Sequence, residues 1–242
     1  MPAGDAERIR RWHERAYQAA LAEAGTDGQT VRHLGLTLRI PPDVHPITGT
    51  SGMLGEAILA ETVPGDRVLD MGSGSGVNGI LAATRTPHVV AVDISPHAVA
   101  ATLDNAGRNA VAGRIDVRRS DVFSAIGAGE IFDLIVFDPP YRWFAPRDWL
   151  ERASTDENYQ ALTAFFAGAG DHLAPGGRML ISFGTSGDIA YLHALMDRHA
   201  YLAEVLAEDG LVRDGQQIRY FVYRVTRRRG ERPGSDATTF PS

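Results

Sequence analysis

The chain has 242 residues, 44% of them hydrophobic and 22% charged, which is room for one sizeable α/β domain with a small N-terminal addition and an ordinary globular composition. It contains no cysteine, which excludes disulfides and cysteine-ligated zinc or iron–sulfur sites, and its eight His show no HExxH spacing, so no metal site is expected. A formal net charge of −6 argues against a broad nucleic-acid surface; with no apolar run of about 18 residues and no apolar N-terminal core, neither a membrane span nor a signal peptide is expected, and the cytoplasm is the default location.

The first stretch, Asp5 to Ala24, reads as an amphipathic helix, with Ile9, Trp12, Ala16, Ala20 and Ala24 at three- and four-residue steps. Alternation over Leu34 to Ile40 predicts a strand, Pro41 to Gly52 an irregular connection, and Met53 to Glu61 a helix. Residues 1–52 are thus set apart as an extension. From Asp66 the pattern alternates: strands over Arg67–Met71, His88–Val92, Arg114–Arg118, Phe132–Phe137 and Arg178–Phe183, and helices over Val77–Thr84, Pro96–Asn109, Asn158–Leu173 and Ile189–His199. Such alternation predicts a parallel sheet with helices on both faces. Tyr201–Ala207 and Gln217–Val225 read as a closing hairpin around an Asp-Gly loop, giving a seven-stranded, mostly parallel sheet with an antiparallel last strand. The domain spans 53–226, and the Arg-rich residues 227–242 are expected to be a disordered tail.

The chemistry gathers at the strand ends. Val68-Leu-Asp-Met-Gly-Ser-Gly-Ser-Gly76 sets a glycine-rich turn after the first parallel strand, where open α/β sheets bind ligands. Gly72, Gly74 and Gly76, with Ser73 between the first two, let backbone approach a ligand in front of a helix N-terminus. Asp93, 19 residues beyond Gly74 and followed by Ile94, is placed to accept from ribose hydroxyls. Gly74-Ser-Gly76-Val-Asn-Gly79 also satisfies the GxGxxG dinucleotide pattern, so an NAD-dependent oxidoreductase is one reading. Asp70 separates the two: a carboxylate beside the loop repels a pyrophosphate and attracts a sulfonium ligand bearing an amino group. A cap or turn is its alternative use. Asp121, followed by Val122, ends the third strand where a carboxylate can take an adenine amine.

Asp138-Pro139-Pro140-Tyr141 then closes the fourth strand with a turn whose prolines fix φ and lack N–H groups. An Asp carboxylate with a proline carbonyl supplies two acceptors for a planar –NH2, and the Tyr ring supplies a face to stack on. A delocalised nitrogen lone pair attacks poorly; acceptors holding both hydrogens help it pyramidalise, and in-line positioning supplies roughly 7–11 kcal/mol of the barrier. Asp138 can also take a proton. The following Arg142-Trp143-Phe144-Ala-Pro-Arg147-Asp148-Trp149 is unusually aromatic for a loop. It reads either as a substrate wall or as aromatics packed for stability. Arg142 and Arg147 are candidates for a substrate carboxylate or for plain surface roles.

Three acids at successive strand ends, the glycine loop and the final hairpin resemble class I S-adenosylmethionine-dependent methyltransferases over about Val44 to Val225. The Asp-Pro-Pro-Tyr motif resembles the (Asp/Asn)-Pro-Pro-(Tyr/Phe) signature of nitrogen-methylating enzymes. Within these, Ala91-Val-Asp93-Ile-Ser-Pro96, Asp104-Asn105-Ala106 and Leu34 to Ile58 are similar to release-factor glutamine methyltransferases. The resemblance implies S-adenosylmethionine as cofactor, and it implies that Gly49 and Thr50 lie near the methionine end of the cofactor. Asp138 would lie near both cofactor and acceptor; Pro140, Arg142, Trp143 and Phe144 would line the acceptor site. The chain departs from the group in carrying Asp138 for Asn, in its short N-terminal helical part and in the aromatic loop, and these departures point away from a release factor. The expected acceptor is a small molecule or a protein amide or amine, with a nucleobase amine as the alternative.

Overall fold

Local sequence explains the N-terminal elements. Ile9 and Trp12, one turn apart, bury the inner face of helix α1 (Ala3–Ala24). A computed structural model describes residues 3–24, 27–47 and 51–228. In it, β1 (Gln29–His33) and β2 (Leu36–Ile40) form an antiparallel hairpin. The single strand expected over Leu34–Ile40 is corrected by this hairpin: Leu34 (φ 45°) and Gly35 (φ 84°) form a two-residue turn needing positive φ at both positions. The polar β1 carries no apolar run by which to recognise it.

Next come α2 (Ser51–Glu61), β3 (Arg67–Met71), α3 (Val77–Ala83), β4 (His88–Asp93), α4 (Pro96–Arg108), β5 (Ile115–Arg119) and β6 (Phe132–Phe137). The chain continues through α5 (Trp149–Arg152), α6 (Gln160–His172), β7 (Leu173–Gly184), α7 (Ile189–Arg198), β8 (Tyr201–Arg213) and β9 (Gln216–Arg227). The seven-stranded sheet has the order β5-β4-β3-β6-β7-β9-β8. Pairing is parallel from β5 through β7, and β9 runs antiparallel to both neighbours. This is the Rossmann-like α/β fold.

Strand periodicity sorts the core into two layers. Leu69, Met71, Ile135, Phe137, Met179 and Ile181 face one cluster, filled by Leu162, Phe165 and Phe166 of α6 and Leu192 of α7. Val68, Ala91, Leu134, Val136 and Leu180 face the other, filled from α2, α3 and β2. Chain order reverses at β3, which has β4 on one side and β6 on the other. Strand and helix connections diverge there and leave a crevice beyond the strand ends, the position where ligands bind in such sheets.

Two further expectations change. The closing hairpin is longer than predicted: β8 runs to Arg213, and Asp214 (φ 51°) with Gly215 (φ 72°) makes the tight turn. Two residues of the expected tail are also ordered into the fold. Arg227 ends β9 and bonds the Gly170 carbonyl, and Arg228 pairs with Asp197 at 2.5 Å; the remainder, 229–242, lies outside the described residues. No helix among the described residues is long and apolar enough to cross a membrane.

Candidate active site

A cavity of about 790 Å³ opens over the carboxyl ends of β3, β4 and β6. Its floor is the glycine turn. Gly72 (φ 72°) and Gly74 (φ 54°) hold left-handed backbone, and a Cβ at Gly74 would meet no atom within 4 Å, so the loop presents bare backbone to open space. Gly76 is different. It is not part of the cavity lining, and a Cβ there would lie 2.9 Å from Thr102 of α4, so this glycine serves helix packing. Gly79 is equally constrained, by Asp70 and Ile115. Two glycines of the GxGxxG match are thus explained without a ligand.

The acids are distributed unevenly. Asp93 lines the cavity, and its two oxygens accept from the N–H of Gly74 (2.9 Å) and of Ser95 (2.8 Å). Each oxygen keeps lone-pair capacity for a ligand hydroxyl. Asp121 lines the wall as an exposed side chain beside Val122, and Ile94 completes that side. Asp70 does not reach the cavity. It is fully buried beneath the glycine turn, where Oδ2 accepts from Gly79 N at 2.8 Å and Oδ1 has no partner among the described residues. Burial, followed by repulsion from Asp93 and Asp138, pushes its pKa up to about 7. Its influence on a ligand is by field and by fixing the loop. Ser73 is also buried in its turn, bonded to Thr102 at 3.0 Å.

The opposite wall is the double-proline turn. Asp138, Pro139, Pro140, Tyr141 and Arg142 all line the cavity. Burial pushes the Asp138 carboxyl up to about 6, opposed by a hydrogen bond from Ser182 of β7. The Tyr141 ring rests on Phe183, centroids 5.5 Å apart, and its carbonyl accepts from Tyr159 Oη at 3.1 Å. Tyr159 in turn accepts from Asp188 N at 2.7 Å. Gly187 packs against that same carbonyl, leaving no room for a Cβ. The turn is therefore held from three sides.

Trp143 and Phe144, expected in the acceptor wall, lie elsewhere. They pack with Ile9 and Trp12 of α1 and with Ile218 and Tyr220 of β9. For these two aromatics packing is what the structure shows, because α1 offers a buried apolar face that they cover, whereas Arg142 and Trp149 of the same stretch line the cavity. Gly49 and Thr50 lie outside the described residues.

Sequence reading missed several lining residues: Ser182 on β7, Arg152 on α5, Asp156 and Gln160 at the start of α6, Tyr220 on β9 and Arg213 on β8. Asp156 accepts from Ala161 N and Leu162 N, both at 3.0 Å, and so caps α6. An Asp near a helix start was a detectable signal. The others come from distant chain segments and leave no local trace.

A Rossmann-like sheet whose glycine turn, Asp93 and Asp138 share one crevice has the sheet-end site at which open α/β proteins bind ligands. Comparison carries this to a family: residues 50–210 match the methyltransferase small domain, and the chain belongs to that family. It is 36% identical over 166 residues to a release factor glutamine methyltransferase of Cereibacter sphaeroides, covering 63% of this chain and 58% of the relative. To a ribosomal RNA small subunit methyltransferase C of Chromohalobacter salexigens it is 30% identical over 203 residues, covering 80% and 53%. The chain thus spans somewhat more than half the length of these relatives. Among solved structures, the Thermus thermophilus 16S rRNA N2 G1207 methyltransferase in complex with AdoMet and guanosine superposes with a TM-score of 0.59 at 23% identity, covering 83% of this chain and 50% of that one.

Proposed function

We propose that this chain is an S-adenosylmethionine-dependent methyltransferase acting on an amide or amine nitrogen of a small molecule or protein side chain. One observation carries the reading: a fully buried carboxyl, Asp70, lies beneath the glycine turn, and two half-buried carboxyls, Asp93 and Asp138, line the cavity close enough to it that both raise its pKa. Such a cluster is costly alone and is relieved by a cationic ligand. A pyrophosphate would add to the cost, which disfavours a dinucleotide. The residues fit a sulfonium nucleoside: bare backbone at Gly72 and Gly74, free lone pairs on Asp93 for the ribose, and Asp121 and Val122 for the base.

When bound, S-adenosylmethionine supplies an electrophilic methyl on sulfur. The chain does the rest. Asp138 and the Pro139 carbonyl accept the two hydrogens of the attacking nitrogen, Tyr141 covers its face, and Asp138 takes the proton as positive charge develops. The relatives named for glutamine and for ribosomal RNA support an amide or a nucleobase amine as acceptor. The net charge of −6 favours the first.

Calorimetry with S-adenosylhomocysteine tests the cofactor half. Binding is expected in the wild type, and Asp93→Ala should weaken it by about 1.5–3 kcal/mol, the worth of a hydrogen bond to a charged group. Binding of NADH instead, or equal affinity in the variant, would remove the assignment.

A further inference from the structure

Two arginines flank the aromatic stretch, and the structure separates them. Arg147 is occupied by Glu14 at 2.8 Å and Glu151 at 2.7 Å. Arg142 is only 9% exposed, lines the cavity, and its Nε has no hydrogen-bond partner among the described residues. Among the described residues it forms no ion pair. Its side-chain hydrogen bond runs from Nη1 to Nδ1 of His13, 3.1 Å away. A guanidinium only donates, so Nδ1 is the acceptor; Nε2 then carries the proton and donates to Glu151 at 2.8 Å. His13 is neutral in this arrangement, and burial lowers its pKa against the opposing Glu151 bond. A neutral imidazole orients the guanidinium without cancelling its charge. A buried cation lacking a counter-charge is unfavourable until an anion arrives.

We propose that the acceptor is a small molecule carrying a carboxylate, gripped by Arg142 while Asp138 and the Pro139 carbonyl hold its nitrogen. The grip rests on the methyltransferase reading of the same cavity. The two groups belong to one turn, four residues apart, on a wall fixed by Tyr159 and Gly187. A planar guanidinium matches a carboxylate with two parallel hydrogen bonds, a pairing that Lys does not reproduce. The cavity, about 790 Å³, is of the size that encloses small ligands.

The test titrates 4-aminobenzoate, 4-aminobenzamide and inorganic phosphate into the full chain, with and without saturating S-adenosylhomocysteine, by ligand-observed NMR. The wild type should bind the benzoate at least about tenfold more tightly than the benzamide. Arg142→Met should equalise the two, and Arg142→Lys should retain part of the preference. Matching circular dichroism spectra and melting temperatures certify the folding of all three proteins; if none of them binds S-adenosylhomocysteine, the methyltransferase reading fails while the carboxylate preference is still read from the titrations without it. Equal binding of both aromatics to the wild type, or no binding of either, overturns the proposal. So does a preference surviving in Arg142→Met, or a tighter Arg142-dependent binding of phosphate.

Discussion

The two ends of the cavity are built by different means. The glycine-turn end is made by consecutive strand ends: Gly72 and Gly74 follow β3, Asp93 ends β4, and Asp121 follows β5. Each residue is placed by its own strand and by backbone hydrogen bonds at neighbouring strand ends, such as Asp93 with Gly74 N of the adjoining turn and with Ser95 N. The other end is assembled from remote pieces. The loop after Tyr141 rests on α1, and α1 is tied to the tip of the closing hairpin: Trp12 Nε1 donates to Asp214 Oδ2 at 2.6 Å, and Arg15 pairs with the same carboxylate. His13, Glu151 and Arg142 form a buried chain linking α1, α5 and the turn. The first end inherits its precision from the sheet; the second depends on tertiary contacts that can be removed singly.

Trp12→Ala should break that dependence most strongly. Removing a side chain only 4% exposed leaves a cavity and takes one donor from Asp214, at a cost of about 3–5 kcal/mol. Calorimetric unfolding measures the loss. The contrast between the ends predicts that the variant, studied well below its Tm, keeps S-adenosylhomocysteine affinity within about threefold while acceptor turnover falls further. A parallel loss of both functions would mean that the two ends are one cooperative unit.

Asp138→Ala probes the acceptor end at its chemistry. Turnover should fall by about 10²–10³, or roughly 3–4 kcal/mol, with cofactor affinity retained. A pH profile sharpens this. Desolvation raises the Asp138 carboxyl to about 6, and in its proposed role as a carboxylate it should make the wild-type rate decline below that value. Asp138→Asn cannot titrate there and should lose that limb. An unchanged acid limb in the Asn variant would assign it to another group.

The difference between the ends also accounts for what was legible in the sequence. Short continuous apolar runs marked the strands at Arg67–Met71, His88–Val92, Phe132–Phe137 and Arg178–Phe183, because strands covered on both faces are apolar nearly throughout. The Gly-rich turn, Asp93 and Asp138 were legible because local backbone chemistry dictates them. Trp143 and Phe144 were misplaced because nothing local distinguishes an aromatic facing a ligand from one covering a distant helix. Ser182, Tyr220 and the His13–Glu151–Arg142 chain were invisible for the same reason: their meaning depends on sheet order and on where α1 docks. The polar strand β1 was missed because hairpin pairing and the positive φ of Gly35 define it, with no apolar period to announce it.

The smallest expected effect lies at the glycine-turn end, in Asp70. Its carboxyl titrates at about 7 in the folded protein because it is fully buried, against an ordinary value of 3.8. A group whose folded pKa is raised lends its full stability below the unfolded value and loses it as pH rises through the folded one. Without cofactor, the wild type should therefore lose about 2–3 kcal/mol more than Asp70→Asn between pH 5 and pH 8, read from urea midpoints. Asn keeps an oxygen for Gly79 N and removes only the charge, so the comparison isolates electrostatics from packing. S-adenosylmethionine, being cationic, should shrink the difference more than S-adenosylhomocysteine does at equal saturation. Equal pH slopes in both proteins would mean that Asp70 is a loop cap whose charge the site never uses.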